Sequence, residues 1–195
     1  MIAHLALGSN LGDRAGTLRL AVAALEREGM RIVRRSSLYE TAPVGGPEGQ
    51  GPYLNAALEV ETDREPEALL TLLLEIEAER GRERTLHHGP RTLDLDLLLM
   101  GDRIHTSPTL TLPHPRLHER LFVLEPLAEI APGARHPVLG KTIATLRGEL
   151  LGISPWGASP ARELAGLRVL VTGSTSGIGR AIAVELATAG AWVIV

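Results

Sequence analysis

The chain has 195 residues, enough for one domain of ordinary size with an appendage. A net charge of −3 argues against a nucleic-acid or anionic-membrane surface spread over the whole molecule, and the absence of cysteine removes disulfides, thiolate nucleophiles and cysteine-ligated metals. Met1 to Leu11 is too short, and too soon followed by Asp13 and Arg14, for a secretory signal, and no apolar run is long enough to span a bilayer, so a cytoplasmic protein is expected.

Ile2 to Leu7 predicts a strand, Gly8-Ser9-Asn10 with Gly12 a turn, and Asp13 to Glu28 an amphipathic helix that stops at Gly29. Arg31 to Tyr39 reads as a strand, Pro43 to Pro52 as a Gly- and Pro-rich loop, and Leu54 to Val60 as a second strand paired with the first. Thr62 and Asp63 offer N-caps to a helix that begins at Pro66 and runs to about Arg80. A basic, irregular stretch from Gly81 to Arg91 then leads into a buried strand over Leu93 to Met100. The order βαββαβ predicts an α+β fold, a ferredoxin-like sandwich with helices on one face of a mostly antiparallel sheet and the other face left for a ligand. Pro108 to Pro115 is extended, and Glu119 to Ile130 and Lys141 to Leu151 suggest short helices. The division expected is a domain over residues 1–151, a linker over 152–165 and a short Rossmann-like βαβ fragment over 166–195.

Asp94 and Asp96, two apart in a strand, leave the same face. Their like charges either are solvated on an exposed face or hold a hard cation such as magnesium together with phosphate oxygens. Arg82, Arg84 and Arg91 precede the pair, and His114, Arg116 and Arg120 follow it, a mixture of charges that phosphoryl transfer demands. The same arginines also fit surface pairs with neighbours such as Glu79 and Glu83. Rings are scarce, Phe122 being the sole Phe and Tyr39 and Tyr53 the two Tyr. Tyr53 and Phe122 fit either the core or a clamp on a flat heterocycle whose edge Asn55 would read.

In Gly89-Pro-Arg-Thr-Leu-Asp-Leu-Asp96, supported by Leu7-Gly-Ser-Asn-Leu-Gly12, Tyr53-Leu-Asn-Ala-Ala57 and Leu112-Pro-His114, the chain resembles the 6-hydroxymethyl-7,8-dihydropterin pyrophosphokinases of folate biosynthesis over about residues 2–151. The resemblance implies magnesium-dependent transfer of pyrophosphate from ATP to the hydroxymethyl-dihydropterin, releasing AMP. It implies two magnesium ions on Asp94 and Asp96, and Arg82 and Arg91 among the catalytic residues. Arg82, Arg84, Arg91, His114 and Arg120 would hold the phosphates of ATP, with Leu97 and Thr111 near the nucleoside. The pterin would lie with Tyr53, Phe122, Asn55, Thr41, Pro43 and Val44, under loops 43–52 and 81–89, and Glu77 would add a polar contact. The partners expected are these small molecules, with no nucleic acid and no membrane, acting on a monomer. His88, where the family often has Trp, and Pro115, where an aromatic is common, depart from its pattern.

Thr172-Gly-Ser-Thr-Ser-Gly-Ile-Gly179 resembles the cofactor turn of NAD(P)-binding short-chain dehydrogenases. The Ser, Tyr and Lys constellation of those enzymes does not follow before Val195, so dehydrogenase activity is not expected, and the tail reads as the start of a second enzyme. A non-catalytic ferredoxin-like binding module is the remaining alternative.

Overall fold

A computed structural model of the chain describes residues 1–44, 47, 49–80 and 91–152 and the strands Arg168–Leu170 and Trp192–Ile194. It divides into two compact units, Met1–Leu150 and Leu151–Val195.

In the first unit β1 (Ile2–Ser9) leads to α1 (Arg14–Arg27), β2 (Arg31–Arg35), β3 (Tyr39–Thr41), β4 (Tyr53–Glu61), α2 (Pro66–Glu79) and β5 (Asp94–Met100). The strands pair antiparallel in the order β2-β4-β1-β5, with β3 also on β4, which is the arrangement a βαββαβ order produces. Asp13 caps α1 by accepting the Gly16 N–H at 2.9 Å, and Gly29, at φ +85°, takes the left-handed turn that ends it. Helix α2 begins at Pro66, but its N-cap is Glu65 rather than Thr62 or Asp63; Thr62 instead accepts the Arg64 N–H at 3.1 Å. The predicted strand from Arg31 to Tyr39 is two strands, because Ser36 turns inward and exchanges hydrogen bonds with the backbone of Ala57 while Glu129 captures the Ser37 N–H.

Alternation along β1 sends Ala3, Leu5 and Leu7 to one side. There they meet Leu54, Ala56, Leu58 and Val60 of β4, and Leu18, Val22 and Leu25 of α1 and Leu69, Leu72, Leu73 and Ile76 of α2 close the layer. Each such leucine contributes about 1.5–3 kcal/mol by leaving water.

The opposite face is not wholly left open as the sequence predicts. After a small hairpin of β6 (His105–Thr106) and β7 (Thr111–Leu112), the cis Leu112–Pro113 bond and a 3₁₀ turn (Leu117–Glu119), α3 (Leu121–Ile130) lies across it. Val123, Leu124 and Leu127 pack on Ala57, Leu98 and Leu99, and α4 (Ile143–Leu150) adds Ile143 and Leu146. Among the described residues, the end of this face near Gly8, Asn55 and Asp94 is not covered by the second core. Register explains why Leu98 and Leu99 both reach it: Leu5 pairs with Leu97 but His4 with Leu99, so Leu98 is an extra residue in a bulge.

In the second unit β8 (Arg168–Leu170) and β9 (Trp192–Ile194) pair in parallel. The glycine-rich segment 172–179 and the helix predicted over 180–189 lie outside the described residues. No helix among the described residues is long and apolar enough to cross a membrane.

His4 is buried beside Glu59, 3.2 Å away, and Arg34 reaches the same carboxylate at 3.7 Å. Burial lowers the His4 pKa below its ordinary 6.5, against the opposing pull of Glu59. The folded chain therefore binds fewer protons here than the unfolded chain, and stability is lost as pH falls below about 6.5. The urea midpoint should drop between pH 7 and 5, and His4→Gln should flatten part of that slope, leaving the shares of His114 and His136, whose pKa values burial also lowers. An unchanged slope in the variant would assign the acid sensitivity elsewhere.

Candidate active site

At the uncovered end of the sheet, three neighbouring strands present alternate residues to one cavity of about 280 Å³. The antiparallel register aligns Asn55, Gly8 and Asp94 in one row, and Ala57, Ala6 and Asp96 in the next. Thr41, Ala42 and Val44 form a wall beyond β4, Phe122 and Val123 of α3 another, and Arg91, Arg116 and Arg120 surround the acidic corner. Of the predicted site residues, Thr41, Val44, Tyr53, Asn55, Arg91, Asp94, Asp96, Arg120 and Phe122 thus line one space.

The pair Asp94 and Asp96 leaves the same face, as the spacing predicts. Arg91 donates to the Asp94 carboxylate at 2.7 Å, and Arg120 stands 3.9 Å from that of Asp96. Burial, and after it the neighbouring Asp94 carboxylate, push the Asp96 pKa up, against His114, Arg120 and Arg91. Two hard carboxylates on one face suit a divalent cation such as magnesium. Burial lowers the pKa of His114 below its ordinary value, with Asp96 opposing. The His114 N–H donates to Leu98 O at 2.9 Å, so the bulge in β5 supplies the carbonyl that sets this residue beside Asp96.

The aromatic residues do two things at once. Phe122 packs against the second core and also lines the cavity, with the Arg120 guanidinium 5.7 Å from its ring centre. Tyr53 opens β4 and pairs with Thr41, whose hydroxyl accepts the Asn55 side-chain N–H at 2.8 Å.

Other predicted residues are placed differently. The side chain of Leu97 is buried in the helix-side core, opposite to Asp96, so only its backbone is left for a nucleoside. Thr111 is exposed in the β6–β7 hairpin, outside the cavity lining, and Pro43 lies between two lining residues without lining it. Glu77 is buried on α2, where its carboxylate accepts the Leu95 N–H at 2.7 Å; it holds the start of edge strand β5, between the two aspartates, rather than the cavity. Arg82, Arg84, His88 and the loop 81–89 lie outside the described residues.

The sequence reading leaves out Asn10, which is buried directly after β1. Its side-chain oxygen accepts the Arg91 N–H at 2.7 Å and its own N–H donates to Arg91 O at 3.1 Å, while its amide nitrogen faces Gln50 Oε1 at 3.4 Å. One turn residue thus brackets the backbone of Arg91 and touches the end of the loop that follows Thr41 and carries Val44. Asn10→Ala should strand the Arg91 N–H at a cost of about 1–3 kcal/mol, read as a lower urea midpoint. Asn10→Asp, which keeps the acceptor, should recover most of it; equal losses in both variants would mean that the Arg91 bond is not what Asn10 contributes.

An electronegative corner ringed by guanidiniums, beside a slot with two rings and a buried amide, suits a polyphosphate next to a flat polar heterocycle. Comparison with known proteins agrees with that chemistry. The family model described as 7,8-dihydro-6-hydroxymethylpterin-pyrophosphokinase matches residues 4–132. The Bacillus subtilis 2-amino-4-hydroxy-6-hydroxymethyldihydropteridine pyrophosphokinase is 51% identical over 130 residues, covering 66% of this chain and 77% of that protein. Its counterpart from Synechocystis is 42% identical over 161 residues, 82% of each chain. Among solved structures, the wild-type Plasmodium falciparum HPPK-DHPS shares the fold at TM-score 0.59 and 16% identity, over 77% of this chain and 45% of that one. The chain therefore spans about half the length of such two-part proteins. On the extent of the family match and of the bacterial relatives, the chain belongs to the 7,8-dihydro-6-hydroxymethylpterin-pyrophosphokinase family.

Proposed function

We propose that this chain transfers a pyrophosphoryl group from ATP to 6-hydroxymethyl-7,8-dihydropterin in folate synthesis, with the chemistry carried by the cavity between β1, β4, β5 and α3. The observation that carries the residue-level account is the single cavity that joins Tyr53, Asn55 and Phe122 to Asp94, Asp96, Arg91 and Arg120. In this account the pterin ring lies along Tyr53 and Phe122, with Asn55 and the backbone of Thr41, Pro43 and Val44 reading its hydrogen-bonding edge. Asp94 and Asp96 hold magnesium, two ions on the family pattern, and the metal when bound neutralises charge on the phosphate oxygens. Arg91, Arg120 and His114, together with Arg82 and Arg84, hold the triphosphate, and Thr111 and the Leu97 backbone face the nucleoside.

The hydroxymethyl oxygen forms a bond to the β-phosphorus as the bond from that phosphorus to the α–β bridging oxygen breaks. The electron pair leaves with AMP, and the hydroxyl proton is released. No side chain among the described residues is asked to act as a base; alignment and charge stabilisation carry the rate. AMP release from ATP and magnesium, with and without the pterin, tests the proposal. Asp94→Ala should lose about 3 kcal/mol or more of transition-state stabilisation, over 100-fold in kcat/KM. A fully active variant would remove the metal role of the acid pair.

We place the activity in residues 1–151. The parallel pairing of β8 with β9 supports reading residues 166–195 as a Rossmann-like βαβ fragment, a separate element. Removal of residues 153–195 should then leave kcat and the melting temperature of the first unit unchanged; a large loss of either would make the tail part of the enzyme.

A further inference from the structure

Gly8 is the middle residue of the row formed by Asn55, Gly8 and Asp94. Its partner on one strand belongs to the heterocycle half of the cavity, and its partner on the other to the acidic half. A Cβ built on Gly8 would point into the cavity, 3.5 Å from Asn55 Oδ1, 3.8 Å from Asp94 Cβ and 3.9 Å from Tyr53 Cδ1. These are ordinary contact distances, and Gly8 lies inside a regular strand, so neither packing nor backbone conformation asks for glycine here. Glycine usually weakens a strand interior, and its use at such a place marks close approach of something else.

We infer that Gly8 is the floor of the reaction centre, where the missing side chain leaves the space in which the hydroxymethyl group of the heterocycle meets the phosphate chain. This rests on the substrate assignment proposed above. An alanine methyl stands about 1.5 Å above the backbone, and displacement of reacting groups by ~1 Å costs about 100-fold in rate. Gly8 is thus a positioning residue for the transfer step: its effect falls on the alignment of two bound substrates, while Asn55 acts on the binding of one.

The test compares Gly8→Ala with Asn55→Ala in the full chain, following AMP release and, in separate titrations, pterin fluorescence. Gly8→Ala should keep the melting temperature and the KM for ATP while kcat falls about 100-fold. Asn55→Ala should chiefly weaken pterin binding. Wild-type kcat in Gly8→Ala alongside an impaired Asn55→Ala would overturn the role of Gly8 and leave the substrate assignment standing. Full activity in both variants would remove the substrate assignment itself. A melting temperature lowered by many degrees in Gly8→Ala would also overturn the inference, since it would show that the space above Gly8 belongs to the packing of the protein.

Discussion

The two-residue repeat of β1, held between β4 and β5, is the constraint on which the remainder depends. Because β1 is flanked on both sides, its residues fix the phase of both neighbours. Leu5 and Leu7 cannot enter the helix-side core without turning Ala6 and Gly8, and with them Asn55, Asp94 and Asp96, to the opposite face. The aliphatic layer that stabilises the fold therefore also aims the polar groups of the site. Small residues at Ala6 and Gly8 leave the room between those groups, and α3 closes one side of it with Phe122.

Asp94 and Asp96 share a half-buried corner, and the rise in the pKa of Asp96 reflects its burial first and the neighbouring Asp94 carboxylate second, with His114, Arg120 and Arg91 opposing. The corner is braced by three contacts: Glu77 fixes Leu95 between the two acids, Asn10 fixes the backbone of Arg91, and Arg91 spans to Asp94. These contacts come from a helix, a turn and a strand end that are distant in sequence. Strain from like charge is thus kept local, where a cation and a polyphosphate would relieve it.

Much of this was legible in the sequence where one periodicity governs. The spacing of Asp94 and Asp96 placed both on one face, and Leu69, Leu72, Leu73 and Ile76 marked the inner side of α2. The same rules, carried one step further, put Leu97 opposite to Asp96 and Glu77 on the buried side of α2, four residues beyond Leu73. Other features have no local signature. Asn10 reads as an ordinary turn former, since its partner Arg91 is 81 residues away. The pattern of residues 121–130 announces an amphipathic helix but not which face of the sheet it covers, so the second core around Leu98 and Leu124 was not foreseen. The break at Ser36–Leu38 depends on Glu129, again a distant partner.

The extra residue at Leu98 divides β5 into two segments of opposite phase. On one side Leu97 obeys the helix layer and Asp96 the cavity; on the other Leu99 joins the second core and Met100 returns to the first. Each half can satisfy its own packing without sliding the other, so the bulge acts as a joint that insulates the acid pair from the hydrophobic demands of the strand's far end. A lineage that lost this one residue would have to turn one half over, either sending both carboxylates among the leucines of the helix layer or taking Leu99 out of the core beneath α3. The length of β5 therefore decides which face each of its halves presents.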